Sequence, residues 1–426
     1  MEHNEPIPLT GYQKLVIFIL AITQFTVILD FMVMSPLGDI LMKSMDLHPD
    51  QFGIAVSAYA FSAGISGLLT AGFADKFDRK KLLVFFYTGF IIGTILCGLV
   101  NSYETLVAAR IITGLFGGVI GSVSMAIVAD LFALQQRGRV MGFLQMGFGA
   151  SQVLGIPLGL YFANHWGWHA PFLWIGGMAA VIALIILLWL KPVDAHLALP
   201  QQNSAFVHLW RNIKKPDYRI GFAATALLSI GGFMMMPFGT AFAVNNLGIT
   251  NAQLPVVFMC AGIFTLVFMP AFGKLSDMVD KFRLFTLACL WMVVVVLVYT
   301  QLGTTPLWLV IVFNILMMTG IMGRMVPSTA LVTGVPEMKD RGAFMSINSS
   351  LQQISGGFAA VIGGMIVVQP EKFSPLEHYN ILGYIVSVIT LLSILLMRRV
   401  NTLIKKRSMQ QQIPPPVAEG IALSEV

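Results

Sequence analysis

The sequence predicts an all-α integral membrane protein of twelve transmembrane helices in two pseudo-symmetric six-helix bundles, and three observations carry that expectation. Hydrophobic residues make up 57% of the chain and charged residues only 11%, against roughly 25% charged in a soluble domain. Apolar runs of about 20 residues, the length of a bilayer-crossing helix, recur from one end to the other. A cluster of acids and bases is also written twice, once in each half.

Runs of this length fit helices and not the ten-residue alternating strands of a membrane barrel. In the first half the expected spans are 14 to 38, 51 to 74, 82 to 100, 105 to 132, 139 to 163 and 170 to 190. The second half supplies 219 to 244, 252 to 274, 283 to 303, 307 to 333, 342 to 369 and 378 to 398. The longest polar interval between spans, Lys191 to Tyr218, falls in the middle. The chain therefore divides into a first bundle (1–190), a cytoplasmic linker (191–218), a second bundle (219–398) and a basic tail (399–426). After Arg407, with its Gln-Gln-Gln and Pro-Pro-Pro, no apolar period remains, so the tail is expected to be disordered.

Positively charged loops stay in the cytoplasm. With the N-terminus inside, the even-numbered loops and the tail gather Lys76, Arg79 to Lys81, Arg137, Arg139, Lys274, Lys281, Arg341 and Arg398 to Arg407, leaving Lys43 and Lys372 outside. Both termini are then cytoplasmic. The same sorting explains a pI near 9.2 without nucleic acid, since basic residues beside anionic lipid suffice. The first run is too long for a signal-peptide core and no small-residue cleavage site follows it, so it is expected to remain as the first span. Cys97, Cys260 and Cys289 all lie inside spans without metal-ligand spacing, which implies neither disulfide nor zinc.

The repeated cluster is Gly72-Phe-Ala-Asp75-Lys-Phe-Asp78-Arg79, echoed by Gly273-Lys-Leu-Ser-Asp277-Met-Val-Asp280-Lys281. Asp75, Asp78 and Arg79 map onto Asp277, Asp280 and Lys281 at one offset, and the first acid stands four residues before the base, the spacing of a helical ion pair. A second echo joins Arg137-Gly138 to Arg341-Gly342. Two loop motifs repeating in register point to duplicated bundles and to a site between them near the bilayer midplane.

On these motifs the chain resembles the major facilitator superfamily, and within it the twelve-helix drug:proton antiporters and sugar-efflux permeases. The family loop Gly-x-Leu-Ala-Asp-Arg-x-Gly-Arg-Lys is matched at Asp75 and Arg79, with Ala71 at the first Gly and Asp78 at the last. Its helix-four pattern is matched by Arg110-Ile-Ile-Thr-Gly114-Leu-Phe-Gly117-Gly118. The helix-five antiporter pattern is kept in part by Gly155-Ile-Pro157-Leu-Gly159, a stretch suited to a hinge. The resemblance implies alternating access in a bacterial cytoplasmic membrane, driven by the proton gradient, with no cofactor. It also implies a latch of Gly72, Asp75, Arg79 and Asp130 resting on the start of helix eleven near Arg341, holding the outward-open state. Asp277, Lys281 and Glu337 would form a weaker counterpart.

Three ionisable groups remain within the spans: Asp30, Arg110 and Arg324. Each costs about 2.5 to 3.5 kcal/mol on insertion scales and is a functional candidate. Asp30 lies roughly 24 Å along the first span from Lys14, and Arg110 just past the outer start of the fourth, so the two can meet at similar depth. Desolvation favours the neutral form of a carboxyl and a cation favours its charged form; a group between those pulls can load and release a proton. Asp30 is thus the expected proton carrier and Arg110 its tuning partner, the alternative being a static pair that supports packing. Arg324 would neutralise an anionic substrate or bond to backbone carbonyls.

In the fold that the resemblance implies, the polar groups available to a cavity are Gln24, Gln145, Gln152, Asn314, Arg324, Asn348 and Gln352, with Met34 and Met235 among the methionines beside them. A sparse polar set with flexible, polarisable Met favours amphipathic or lipophilic cargo, and few aromatics stand mid-span. The leading reading is proton-coupled efflux of drug-like compounds; the alternatives are efflux of sugars or other small metabolites, an uncoupled facilitator, or a sensor. No Walker loop or His-Glu-x-x-His helix is present, which argues against an enzyme. The expected partners are a small-molecule substrate, protons and lipid, and nothing demands more than a monomer.

Overall fold

The computed structural model describes residues 9–70, 73–198, 205–337 and 340–412. In order, the helices are α1 (Gly11–Val33), α2 (Gly38–Met45), α3 (Pro49–Thr70), α4 (Arg79–Cys97), α5 (Tyr103–Leu131), α6 (Leu134–Ala150), α7 (Ile156–Trp166) and α8 (His169–Trp189). Then come α9 (Ala205–Lys214), α10 (Pro216–Phe233), α11 (Gly239–Asn245), α12 (Leu254–Met278), α13 (Lys281–Tyr299), α14 (Leu307–Thr333), α15 (Arg341–Ile366) and α16 (Tyr379–Gln412). Among the described residues, eleven spans are long and apolar enough to cross a membrane. The twelfth expected span is α15, 26 residues long and diluted by Ser346, Asn348, Ser349, Ser350, Gln352 and Gln353. Its polar content follows from its place, since one side of α15 packs between α3 of the first half and α10 of the second.

Local chemistry sets the ends of these helices. Thr10 caps α1 in a box with Gln13, and Ser102 caps α5 in a box with Thr105. Asp78 caps α4 through Lys80 N, and Asp280 caps α13 through Arg283 N. The second acid of the repeated cluster is thus a helix cap in both halves. The Arg echo is equally regular: Arg137 Nη2 donates to Ala129 O and Arg341 Nη2 to Thr333 O, each eight residues back, where a cation suits the negative end of a helix.

Two spans break where proline interrupts them. The first span ends at Val33, before Pro36, and resumes as α2; the seventh ends at Phe233, before Pro237, and resumes as α11. The expected continuous span 219 to 244 is therefore a long helix plus a short one, and the expected span 14 to 38 is α1 with the turn that leads into α2, which runs on beyond it. In the fifth span a π-helical turn, Ser151–Gly155, separates α6 from α7. Pro157 accounts for it, because its ring and missing N–H disfavour the normal α-helical turn before it.

Glycines bring the halves into backbone contact. A Cβ added at Gly53 would lie 2.6 Å from Ala360 O, one at Gly364 2.7 Å from Pro49 O, and one at Gly262 2.9 Å from Val153 Cα. So α3 runs against α15, and α12 against the π turn. One apolar core contains Leu29, Met34, Leu37 and Phe52 of the first half together with Phe238, Phe242 and Tyr379 of the second. Of the two other cores, one lies wholly within the first half and the other draws its buried residues from the second half and from α9. The shared core lies at the end away from the basic loops, here called the opposite end.

Two features depart from the expected organisation. The interval 191–218 contains α9, whose Leu209 joins the second-half core while Trp210 is exposed with Lys214 Nζ 5.1 Å from its ring, a pattern of interfacial helices. The tail expected to be disordered from 399 instead continues α16 to Gln412. Val400 is fully buried and Lys405 Nζ reaches Asp280 Oδ2 at 3.3 Å, so packing extends the helix past the apolar span; residues 413–426 lie outside the described residues.

Candidate functional site

Asp30 and Arg110 form an ion pair, Arg110 Nη1 to Asp30 Oδ2 at 2.9 Å, with both side chains fully buried. Asp30 stands three residues before the end of α1, and Arg110 seven after the start of α5, about 5 and 10 Å from those ends. Thr94 of α4 donates to the other carboxylate oxygen at 3.2 Å. The Arg110 guanidinium lies 4.7 Å from the Tyr59 ring centre, and its Nε and Nη2 are buried without a hydrogen bond. Small residues make this approach possible, since a Cβ at Gly114 would stand 2.4 Å from Tyr59 O. Both groups are fully buried and two guanidinium nitrogens have no hydrogen-bond partner from the protein, so a change in the charge of either group is strongly felt.

Aromatic rings link this pair to the second half. Phe31, next to Asp30, is 5.3 Å from Tyr59 and 5.9 Å from Phe233 of α10 between ring centres. Few aromatics stand mid-span in the sequence, yet the fold gathers three from three helices into one chain of rings that begins beside the charge pair.

The expected cavity residues separate into groups. Gln24 and Asn348 are half-buried, with Gln24 Oε1 and Asn348 Oδ1 enclosed and unpartnered. Asn314 turns back to Val310 O, Gln152 lies half-buried in the π turn, and Gln352 is exposed. Met34 is fully buried in the shared core and Met235 packs on it, so both belong to the closed opposite end rather than to an open cavity. The Gln145 side chain lies outside the described residues. Arg324 of α14 is 7% exposed, and its Nη1 stands 3.4 Å from Thr390 Oγ1.

At the basic end, Arg79 Nε meets Asp130 Oδ2 at 3.2 Å, and Arg79 Nη1 donates to Ala74 O at 3.0 Å. His196 Nδ1 is 3.3 Å from the same carboxylate oxygen. Gly72 and the side chains of Asp75 and Asp277 lie outside the described residues. Arg341 is engaged with Thr333 of its own half, and a Cβ at Gly342 would meet nothing within 4 Å. Among the described residues, nothing packs against Gly342 at the start of α15. In the second half Asp280 pairs with Lys405 of α16. The Arg283 backbone N–H, followed by Lys405, holds the Asp280 carboxyl below its usual value.

Gly155, Pro157 and Gly159 sit where α7 crosses α1. A Cβ at Gly155 would lie 2.5 Å from Leu29 Cδ1, and one at Gly159 2.9 Å from Val33 Cγ2. Helix five thus presses on the turn of α1 that carries Asp30.

Sequence reasoning missed the strongest polar link between the halves. Asp39 of α2 is fully buried; it binds Lys43 at 2.8 Å and accepts from Asn245 at 2.7 Å and Asn251 at 3.1 Å. Ser35 bonds Met236 O, and Thr240 donates to Ser35 O at 2.9 Å. A signal was present: Met34-Ser-Pro36-Leu-Gly38 and Met235-Met-Pro237-Phe-Gly239 are a third echo, and these two broken spans meet across the interface.

Known proteins with related sequences or folds add a family context. The Major Facilitator Superfamily family model matches residues 20–336 and 222–425. Similar proteins include an uncharacterized MFS-type transporter, YbcL, of Bacillus subtilis, 26% identical over 386 residues, covering 89% of this chain and 95% of that protein. A probable sugar efflux transporter of Helicobacter pylori (strain G27) is 25% identical over 289 residues, covering 66% and 72%. Multidrug resistance protein 2 of Bacillus subtilis is 22% identical over 364 residues, covering 83% and 89%. Among solved structures, a bacterial homolog of the human lysosomal transporter Spinster, inward-facing and unoccupied, superposes with TM-score 0.68 at 15% identity, covering 96% of this chain and 100% of that one.

Proposed function

Because the chain belongs to the Major Facilitator Superfamily, we propose that it is a proton-coupled exporter of small polar metabolites, with Asp30 as proton carrier and Arg110 as its tuning partner. It is a multi-pass secondary transporter of small solutes and not an enzyme. The observation that carries the coupling is the fully buried Asp30–Arg110 pair. Neutralising Asp30 removes the anion that holds the guanidinium, so protonation and the position of α5 are linked.

The cycle follows from which end is sealed. With the basic end taken as cytoplasmic, the shared core and the Asp39 links close the outer side, and cargo enters from within. Reopening outward would break those links and bring α15 onto the Arg79–Asp130 pair, where the positive end of a helix favours an anion.

Sugars and similar metabolites are favoured as cargo over lipophilic drugs on two grounds. Relatives of comparable similarity include probable sugar efflux transporters. The half-buried Phe31 and Phe233 rings offer stacking, and the unpartnered amide oxygens of Gln24 and Asn348 offer hydrogen bonding. The similarity to a multidrug resistance protein supports the second reading, apolar cargo.

Proteoliposomes with an imposed pH gradient and a panel of sugars, sugar acids and dyes test the proposal. Flux is expected to follow the gradient, and Asp30→Asn is expected to abolish that dependence. Gradient-driven flux that persists in Asp30→Asn overturns it.

A further inference from the structure

Among the described residues, the second half holds a buried cation, Arg324, without an anion beside it. Arg324 lies about 25 Å along α14 from Leu307, well within the membrane-spanning region, and is 7% exposed. Its recorded hydrogen bond is the long one to Thr390 Oγ1, 3.4 Å. Among the described residues no carboxylate pairs with it. Arg110 in the first half has Asp30; Arg324 has no equivalent. A guanidinium in this setting destabilises the protein unless something neutralises it.

The guanidinium also has an opening beside it. A Cβ built on Gly232 of α10 would stand 3.9 Å from Arg324 Nη2. On the same helix Gly231 faces Ile389 and Thr390 of α16, whereas Phe233 meets Phe31 of α1 and Gly356 of α15. Gly232, about 100° around the helix from each neighbour, faces the gap between α10 and α14. It is exposed, so protein does not cover that gap, and the lack of a side chain leaves the guanidinium edge reachable.

We propose that Arg324 is the recognition point for an anionic group, a carboxylate or a phosphate, on the transported solute. The planar fork of donors fits two oxygens of such a group at once, which a lysine would not match. The inference rests on the reading of the chain as a transporter with its cargo site between the halves. It narrows the metabolite class to acids, and it needs no proton coupling. The unpaired charge then has a reason to persist: the solute supplies the anion that the protein withholds.

The test uses the purified full-length protein in detergent, without any gradient, and reads thermal unfolding. The probes are gluconate, glucose 6-phosphate and benzoate as anions, glucose as the neutral analogue and tetraphenylphosphonium as a cation. An anion is expected to raise the midpoint of the wild type, whereas Arg324→Gln loses the shift and Arg324→Lys keeps only part of it; gluconate against glucose 6-phosphate separates carboxylate from phosphate. Asp30→Asn is expected to retain the shift, so a failure of proton coupling is distinguishable from a failure of this site. Ligand-free Arg324→Met is expected to unfold at or above the wild-type temperature, because it removes an unpaired charge. An anion shift unchanged in Arg324→Gln, stabilisation by glucose or the cation alone, or a ligand-free Arg324→Met midpoint lower by more than about 5 °C overturns the proposal.

Discussion

Asn245 Nδ2 of the second half donates to Asp39 Oδ1 of the first at 2.7 Å, on a carboxylate that has no exposed surface. Asn251 binds the other oxygen, and Lys43 bridges Asp39 and Asn245. Charge-assisted bonds of this kind are worth about 1.5 to 3 kcal/mol each. Asp39→Asn keeps the shape and removes the charge, so it is expected to shift the balance toward opening of this end by about tenfold or more. Faster amide exchange over residues 34–46 and 236–246 would register the change; unchanged exchange there would show that the shared apolar core alone holds the halves.

Removing one member of the Asp30–Arg110 pair leaves the other charge buried. Breaking such a pair costs about 3 to 5 kcal/mol. Asp30→Asn is therefore expected to lower the unfolding midpoint markedly, and Asp30→Asn combined with Arg110→Gln to recover part of the loss. Thermal unfolding of the single and double variants measures the coupling. Additive losses would mean that Thr94 and Tyr59, not the pairing, support each group.

The span count, the Asp30–Arg110 encounter and the repeated loops were legible because each rests on a property that sequence displays directly: apolar length, rarity of charge within a span, and constant offset. The Asp39 links were not, because Asp39 reads as an ordinary loop acid until Pro36 and Pro237 bend their spans toward each other. The extension of α16 escaped for a similar reason. Residues 399–412 are mostly polar, and Val400, Ile404 and Lys405 tie the stretch to the second-half core and to Asp280, contacts that no local pattern announces. Met34 and Met235 looked like cavity residues by helix membership, but the break after Val33 and the one after Phe233 turn them into the closure.

Arg79 and Asp130 are paired, and among the described residues nothing packs against Gly342 at the start of α15. A latch at this end would form only when the opposite end opens. Asp75→Asn is expected to slow transport by about tenfold, in line with losing one favourable anion–helix contact, and to leave cargo affinity in the present state unchanged. Transport assays with binding measured in parallel distinguish the two effects. Unimpaired transport at normal expression would remove the latch from the cycle.

Helix five carries its irregularity beside the coupling pair. The π turn at Ser151–Gly155 precedes Pro157, and Gly155 rests on Leu29, one residue from Asp30. Pro157→Ala returns an N–H donor and removes the ring, so a regular α-helical turn becomes available through this stretch. A straighter helix would press on Leu29 or withdraw Gly262 of α12 from Val153 and Gln152, and either shift alters the contact between halves. The variant is expected to gain about 1 kcal/mol or more of helix stability and to lose transport rate, with the unfolding midpoint rising as turnover falls. A rise in stability with turnover unchanged would show that the π turn only accommodates the proline, and that α7 moves as a rigid body with α1.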